Sequence, residues 1–143
     1  MTRKYILLVE DNPDDEALAL RALVRSAVPA DVIVARDGAE ALERVRGNLQ
    51  RLPEVVLLDL KLPKLSGIDV LRRLRADPRT LLLPVVVLTS SNEDEDVREC
   101  YRAGANSYVR KPLDFDAFAA AVAELGRFWV NLSESPQRDA SRR

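Results

Sequence analysis

Hydrophobic and polar positions along the chain fall into two alternating patterns. Short, solidly apolar runs rich in valine, isoleucine and leucine predict strands that are buried on both faces. These runs are YILLV (5–9), VIVA (32–35), VVLL (55–58) and PVVVLT (84–89), with ANSYV (105–109) as a weaker fifth. Because longer segments separate them, we predict an α/β domain whose parallel sheet is covered by helices on both faces.

The longer segments carry apolar residues three or four positions apart, which is typical of amphipathic helices. We predict helices over 14–27, 37–46, 66–76, 90–104 and 114–132. Ser66 is a predicted N-cap, and Gly104 is a predicted helix stop. The acidic run 93–96 fits the first turn of its helix, where the helix dipole favours negative charge.

The last helical segment has a heptad-like apolar stripe. Its members are Phe115, Phe118, Val122, Leu125, Trp129 and Leu132. We expect Phe118, Val122 and Leu125 to pack on the sheet, as one apolar face of a helix normally does. The final apolar residues extend past the expected end of the sheet and are predicted to form an interface: Phe128, Trp129, Val130 and Leu132. We expect one domain over 1–132 and a disordered polar tail over 133–143.

Composition excludes several classes of function. The chain has 143 residues and a net charge of −1, so it has no general attraction to nucleic acid or anionic membranes. It has no histidine, which excludes histidine-dependent catalysis and histidine metal ligands. Any metal must therefore bind oxygen ligands, as Mg²⁺, Ca²⁺ or Mn²⁺ does. The single cysteine, Cys100, and the lack of a long apolar run lead us to expect a cytoplasmic protein.

Polar groups follow four of the predicted strands. They are Glu10-Asp11, Asp59, Thr89-Ser90 and Arg110-Lys111-Pro112. The carboxyl ends of parallel strands meet at one edge of a sheet, where ligands bind in this class of fold. We therefore expect Glu10, Asp11 and Asp59 to converge, with Thr89 and Lys111 close by. Taken alone, each of these residues also fits a turn or a helix cap.

Three carboxylates in one site repel each other unless a cation lies between them. A divalent ion and the Lys111 ammonium together would neutralise the oxygens of a phosphoryl group. Asp59 is the natural nucleophile because it projects from a central strand, whereas Glu10 and Asp11 form an adjacent metal-binding pair.

The motifs ILLVEDNPDD, VVLLDLKLPKLSGIDVL, PVVVLTSS and GANSYVRKP occur in this order. Over residues 4–125 the chain thereby resembles the receiver domain of two-component response regulators. The resemblance implies a flavodoxin-like (βα)5 fold with strand order 2-1-3-4-5. It also implies that Asp59 accepts a phosphoryl group from a sensor histidine kinase or a histidine phosphotransfer protein, without turnover of an external substrate.

The resemblance assigns a metal site for Mg²⁺, with Mn²⁺ as a substitute. Asp11 would bind the ion directly, and Glu10 would act largely through water. Asp59 and the backbone carbonyl of Lys61 would complete the protein ligands.

The resemblance also assigns a switch. Thr89 would hydrogen-bond the phosphoryl group, Lys111 would pair with it, and Tyr108 would move inward as Thr89 moves. The Lys111–Pro112 peptide is expected to be cis. Lys61 and Ser91 occupy positions that tune the lifetime of the phosphoaspartate in relatives.

The C-terminal segment, GANSYVRKPLDFDAFAAAVAELGRFWVNLSESP, narrows the resemblance. It is similar to small stand-alone regulators that work with bacterial phytochromes and dimerise through the fourth helix, the fifth strand and the last helix. We therefore expect no output domain, a homodimer, a phytochrome-type kinase as partner, and neither nucleic acid nor membrane as a partner.

Other functions stay open at this point. A phosphate sink and a constitutive receiver-like binding module both fit the same motifs. A Mg²⁺-dependent phosphatase or phosphotransferase is disfavoured, because Lys61 stands where such enzymes place a second acid.

Overall fold

The computed structural model describes residues 4–91 and 93–136. Its centre is one parallel sheet, made from the five predicted apolar runs. The strands are β1 (Tyr5–Val9), β2 (Asp31–Ala35), β3 (Val55–Leu58), β4 (Val85–Thr89) and β5 (Ser107–Arg110). Their order across the sheet is β2-β1-β3-β4-β5. The predicted fold class and strand order are both confirmed.

In the described part of the chain, five α-helices connect and follow these strands. They are α1 (Pro13–Arg25), α2 (Gly38–Arg46), α3 (Gly67–Ala76), α4 (Asp94–Ala103) and α5 (Phe115–Arg127), and a π-helical turn (Phe128–Leu132) continues α5. Ser66 caps α3 by accepting a hydrogen bond from the Asp69 amide at 3.2 Å, as predicted. Gly104 ends α4 with a φ of 104°, a left-handed conformation that favours glycine.

The two faces of the sheet build two apolar layers, because successive side chains of a strand point to opposite faces. Leu7 of β1 lies in the layer that contains α2 and α3, with Leu71 among its members. Ile6 lies in the opposite layer, with Phe118 and Val122 of α5. Both faces of the central strands are thus covered, which leaves the carboxyl edge of the sheet as the place where polar side chains gather.

One predicted interface residue belongs to the core instead. Val130 is 2% exposed and lies in the same apolar layer as Ile6. The stripe that faces the core advances in steps of four, through Phe118, Val122, Gly126 and Val130, all of which are buried. The interface prediction is therefore wrong for Val130, since the π-helical turn keeps it on the buried face of α5.

The other predicted interface residues differ in exposure. Phe128 is 48% exposed and Leu132 is 76% exposed, whereas Trp129 is partly buried against the core. The Phe128 and Trp129 rings meet edge to face with their centroids 5.1 Å apart. Phe128 and Leu132 therefore form an uncovered apolar patch at the end of α5.

The predicted tail falls partly outside the described chain. Ser133 donates a backbone hydrogen bond to the Phe128 carbonyl at 2.8 Å, and Pro136 lines a cavity together with Leu52 and Pro84. Residues 137–143, like residues 1–3 and 92, lie outside the described residues. Among the helices of the described chain, none combines the length and the apolar character that a membrane crossing requires.

Candidate phosphoryl-acceptor and metal site

Glu10 follows β1, one of the two strands at the centre of the ligand-binding edge. Its backbone amide donates to the Ala35 carbonyl at 2.9 Å, which extends the β1–β2 ladder by one residue. Its side chain is buried, and Oε2 accepts a hydrogen bond from the Asn12 amide at 3.2 Å. Asp11, the next residue, is exposed. The two acids of the pair therefore differ: one is held in the protein and one faces solvent.

Asp59 follows β3, next to Glu10 across the sheet. Its amide donates to the Val9 carbonyl at 3.2 Å, so strand pairing fixes its backbone. Oδ1 accepts hydrogen bonds from the Leu60 amide at 2.7 Å and the Lys61 amide at 3.4 Å. The side chain is largely buried, with Oδ2 left for contacts within the site. The Lys61 side chain is exposed.

Lys111 joins the acids from the other side. Its amide donates to the Thr89 carbonyl at 2.8 Å, beyond the end of β5. Its Nζ donates to Glu10 Oε1 at 2.6 Å, to Asp15 Oδ2 at 2.9 Å and to Asp59 Oδ2 at 3.1 Å. The predicted convergence of Glu10, Asp59 and Lys111 is thus what the structure shows.

The peptide between Lys111 and Pro112 is trans, so the cis expectation is wrong for this structure. Trans is the intrinsically favoured isomer, by about 0.5–1 kcal/mol even before proline. Lys111 reaches the acids from this backbone without a cis bond.

Burial and charge perturb two groups of the site. Burial raises the pKa of the Glu10 carboxyl to about 7; the Lys111 ammonium opposes this shift, and the Asp59 charge adds to it. Burial alone would lower the pKa of Lys111, but its hydrogen bonds to Glu10 and Asp15 and the Asp59 charge outweigh burial and raise it. Lys111 therefore stays charged, while Glu10 lacks full compensation for its charge.

Three carboxylates can share one cation. Glu10, Asp11 and Asp59 each offer an oxygen, and these atoms all lie within 4.8 Å of one another. Carboxylate oxygens are the ligands that hard divalent cations prefer. A divalent ion here would supply the charge that Lys111 alone does not, so the donor set fits the expected metal.

The predicted switch residues form a chain beside this site. Thr89 is fully buried at the end of β4, and its Oγ1 lies 3.5 Å from the Ser91 amide that points to it. The Tyr108 hydroxyl donates to the Ser91 carbonyl at 2.9 Å, and its ring packs beside Cys100. The Ser91 hydroxyl donates in turn to Asp96 of α4. Thr89 and Tyr108 are therefore linked through Ser91.

Two residues of this region were not predicted from the sequence. Asp15 contacts Lys111 from the first turn of α1, and Asp96 accepts from Ser91. Both look like ordinary acids at helix starts, where a carboxylate is favourable for local reasons. The Asn12 cap, which accepts from the Asp15 amide at 3.1 Å, was a signal that could have placed Asp15 near the site.

The family follows from a comparison with known proteins. A family model for the response regulator receiver domain matches residues 6–123. This chain belongs to that family. The receiver resembles the probable methanogenesis regulatory protein FilR2 of Methanothrix harundinacea, with 41% identity over 92% of this chain and 86% of FilR2. It also resembles the response regulator Rcp1 of Synechocystis, with 34% identity over 93% of each chain.

Solved structures agree with this assignment. The Mn²⁺-bound form of Rcp1 superposes with a TM-score of 0.85 at 33% identity, over 93% of the receiver and 99% of the Rcp1 chain. The phosphorylated cyanobacterial phytochrome response regulator RcpA gives a TM-score of 0.86 at 35% identity, over 94% of the receiver and 99% of the RcpA chain. The bacteriophytochrome response regulator AtBRR gives a TM-score of 0.72 at 43% identity, over 94% of the receiver and 100% of the AtBRR chain. The predicted family and its likeness to phytochrome regulators are confirmed.

Proposed function

We propose that this receiver accepts a phosphoryl group on Asp59 from a sensor histidine kinase or a histidine phosphotransfer protein, in a Mg²⁺-dependent reaction. One observation carries the proposal: Lys111 Nζ lies 3.1 Å from Asp59 Oδ2, beside three carboxylate oxygens within 4.8 Å of one another. This arrangement supplies a nucleophile and a fixed cation for a transferred phosphoryl group.

The proposed transfer uses few protein groups. A carboxylate oxygen of Asp59 bonds to phosphorus as the bond from phosphorus to the donor nitrogen breaks, and the electron pair leaves with the donor. Lys111 pairs with a phosphoryl oxygen, and the Thr89 hydroxyl donates to another. Asp11, Asp59 and the Lys61 carbonyl would hold Mg²⁺ or Mn²⁺, with Glu10 acting largely through water, and the ion would neutralise charge on the phosphoryl oxygens.

The proposed output is a change in the surface around α4, β5 and α5. Movement of Thr89 toward the phosphoryl group pulls on the Ser91 amide, and Ser91 holds the Tyr108 hydroxyl at 2.9 Å. Tyr108 belongs to β5, so its ring couples the site to that surface. The exposed Lys61 and the buried Ser91 set the lifetime of the phosphoaspartate.

We infer that the donor is a phytochrome-type kinase, because the similar proteins RcpA and AtBRR are a phytochrome and a bacteriophytochrome response regulator. We place the transfer in the cytoplasm, since the free Cys100 fits a reducing compartment. The test uses two autophosphorylated histidine kinases, one phytochrome-type and one unrelated, with intact mass as the readout. Faster transfer from the phytochrome-type kinase, lost on chelation of Mg²⁺, supports the proposal. If the receiver gains no phosphoryl group from either kinase or from acetyl phosphate, the proposal is wrong.

Two other functions remain distinguishable. A phosphate sink would accept phosphoryl groups without a change in partner binding or dimerisation, and a constitutive module would bind its partner equally with and without them. Multiple turnovers on a small phosphomonoester would instead indicate an enzyme. We propose that the receiver is no such enzyme, since the exposed Lys61 stands in place of a second acid.

Dimerisation is proposed to use the α4-β5-α5 face together with the patch of Phe128 and Leu132. Replacing both patch residues by serine is expected to weaken the dimer by at least about tenfold, since buried apolar contacts often dominate an interface. Sedimentation velocity over a concentration series measures this. The control is Val24→Ser on α1, another exposed apolar residue. Equal dimer affinity in the patch variant and the control would show that the patch is not part of the interface.

The raised pKa of Glu10 predicts how stability varies with pH when metal is absent. The folded state holds a proton on Glu10 up to about pH 7, whereas an unfolded glutamate loses it near 4.5. This contribution to stability is present below the unfolded pKa and is lost as pH rises through the folded pKa. The free energy of unfolding in EDTA is expected to fall by on the order of 2 kcal/mol between about pH 5 and pH 8.

Urea unfolding at the two pH values measures this loss. Added Mg²⁺ is expected to offset it, because a nearby cation favours the deprotonated Glu10 carboxylate. Glu10→Gln is the matched control, since its side chain does not titrate. If the stability of Glu10→Gln depends on pH in the same way as that of the unmodified receiver, another titratable group causes the loss.

A further inference from the structure

Asp15 is a contact of Lys111 that stands apart from the metal cluster. It lies in the first turn of α1, and its Oδ2 accepts a hydrogen bond from Lys111 Nζ at 2.9 Å. Its side chain is 29% exposed, against 9% for Lys111. Among the described residues, the carboxylates close enough to share a cation are Glu10, Asp11 and Asp59, and Asp15 is outside that group.

The contacts of Lys111 use its full capacity as a donor. An ammonium group has three N–H bonds, and Glu10, Asp15 and Asp59 accept one each. Glu10 and Asp59 are also the acids that a cation would attract. Asp15 is therefore the acceptor that can hold Lys111 while the other two carboxylates turn to the metal.

A phosphoryl group must compete for the same ammonium. Asp15 also brings a fourth carboxylate to the site, where Glu10, Asp15 and Asp59 share the single ammonium of Lys111. It therefore adds to the repulsion felt by an anionic donor. The same charge attracts a divalent cation. The charge of Asp15 would therefore act in opposite directions on the two ligands, against the phosphoryl group and in favour of the metal.

We propose that Asp15 is a positioning residue for Lys111 that competes with the phosphoryl group for the ammonium, slowing transfer from anionic donors while strengthening Mg²⁺ binding. This proposal rests on the proposed function of Asp59 as phosphoryl acceptor. The Mg²⁺ part depends only on the contact between Asp15 and Lys111 and on the three neighbouring carboxylates.

The test compares Asp15→Asn with Asp14→Asn in the full chain. Asp14 is the preceding residue in the same helical turn and is exposed, so its variant makes the same charge change away from Lys111. With saturating Mg²⁺, Asp15→Asn is expected to be phosphorylated by acetyl phosphate about tenfold faster, the effect of one nearby charge at intermediate dielectric. Asp14→Asn should stay within about twofold of the unmodified receiver.

Two further measurements separate this role from a structural one. Phosphoramidate carries less negative charge than acetyl phosphate, so its acceleration by Asp15→Asn should be smaller. Isothermal calorimetry should show Mg²⁺ binding weakened several-fold by Asp15→Asn and little by Asp14→Asn. Asp15→Glu keeps the charge, so its phosphorylation rate and its Mg²⁺ affinity should lie close to those of the unmodified receiver.

Equal behaviour of the Asp15 and Asp14 variants in both assays would overturn the proposal. So would equal acceleration with both phosphoryl donors, accompanied by a lower melting temperature, because loosened structure does not depend on donor charge. If the unmodified receiver gains no phosphoryl group at all, the proposed function fails. The comparison of Mg²⁺ affinities then still decides whether Asp15 acts through Lys111.

Discussion

Asp59→Asn is expected to abolish phosphoryl uptake from histidine kinases and from acetyl phosphate. An amide oxygen is a much weaker nucleophile than a carboxylate oxygen, and the substitution also removes a charge that a divalent ion needs. Intact mass after incubation with acetyl phosphate and Mg²⁺ should show a phosphorylated species for the unmodified receiver and none for the variant. The expected reduction is at least about a hundredfold, comparable to the loss of other positioned catalytic groups.

The fold should survive this substitution. Oδ1 of Asp59 accepts from the Leu60 amide at 2.7 Å, and an asparagine oxygen can keep that hydrogen bond. Asp69→Asn is the matched control, since it removes an exposed carboxylate on α3. Equal uptake by Asp59→Asn and Asp69→Asn would show that another residue accepts the phosphoryl group. Unfolding of Asp59→Asn would be visible by circular dichroism before any assay.

The four strong strand predictions agree with the structure to within one residue, because short, solidly apolar runs favour strands of a covered parallel sheet. This holds even for β2, which lies at the edge of the sheet and is only partly buried. The fifth strand begins at Ser107 rather than at 105. The Ala105 amide instead donates to the Cys100 carbonyl, and the Asn106 side chain accepts from the Val85 amide at 2.8 Å. Ala105 thus belongs to the end of α4, and Asn106 binds the start of β4. The residue types alone do not predict either contact.

The start of α4 shows a similar limit. The helix predicted over 90–104 begins only at Asp94, although its acidic residues do lie in the first turn, as predicted. Ser91 stays outside it, because its carbonyl accepts from Tyr108 and its hydroxyl donates to Asp96. Local helix preference is outweighed here by contacts between β5 and the loop before α4.

The candidate site could be predicted where it depended on strand ends alone. Glu10, Asp59 and Lys111 converge because parallel strands place their carboxyl ends at one edge. Asp15 could not be predicted in this way, since its contact with Lys111 spans 96 residues and depends on how α1 lies over the edge. Val130 was predicted to lie on the wrong face of the helix. The sequence suggested a heptad-like spacing of three and four, whereas the buried residues of the last helix recur every four positions.

Gly67→Ala is expected to destabilise the receiver by about 3 kcal/mol or more, although alanine is the better helix former by about 1 kcal/mol. A Cβ at Gly67 would lie 2.2 Å from the Asp59 carbonyl oxygen and 2.7 Å from the Leu60 Cα. These are backbone atoms of the site, so no side chain can swing aside. The start of α3 would have to retreat and weaken the hydrogen bond from the Gly67 amide to the Leu60 carbonyl, now 2.9 Å.

Urea unfolding of Gly67→Ala beside Ser66→Ala measures this cost. Ser66→Ala removes only the cap of the same helix and should cost about 1 kcal/mol. Phosphorylation should also slow in Gly67→Ala, because the backbone that must move carries Asp59, whereas Ser66→Ala should leave the rate nearly unchanged. A Gly67→Ala receiver as stable as Ser66→Ala would mean that α3 can shift freely against β3. The position of Asp59 would then depend on strand pairing alone.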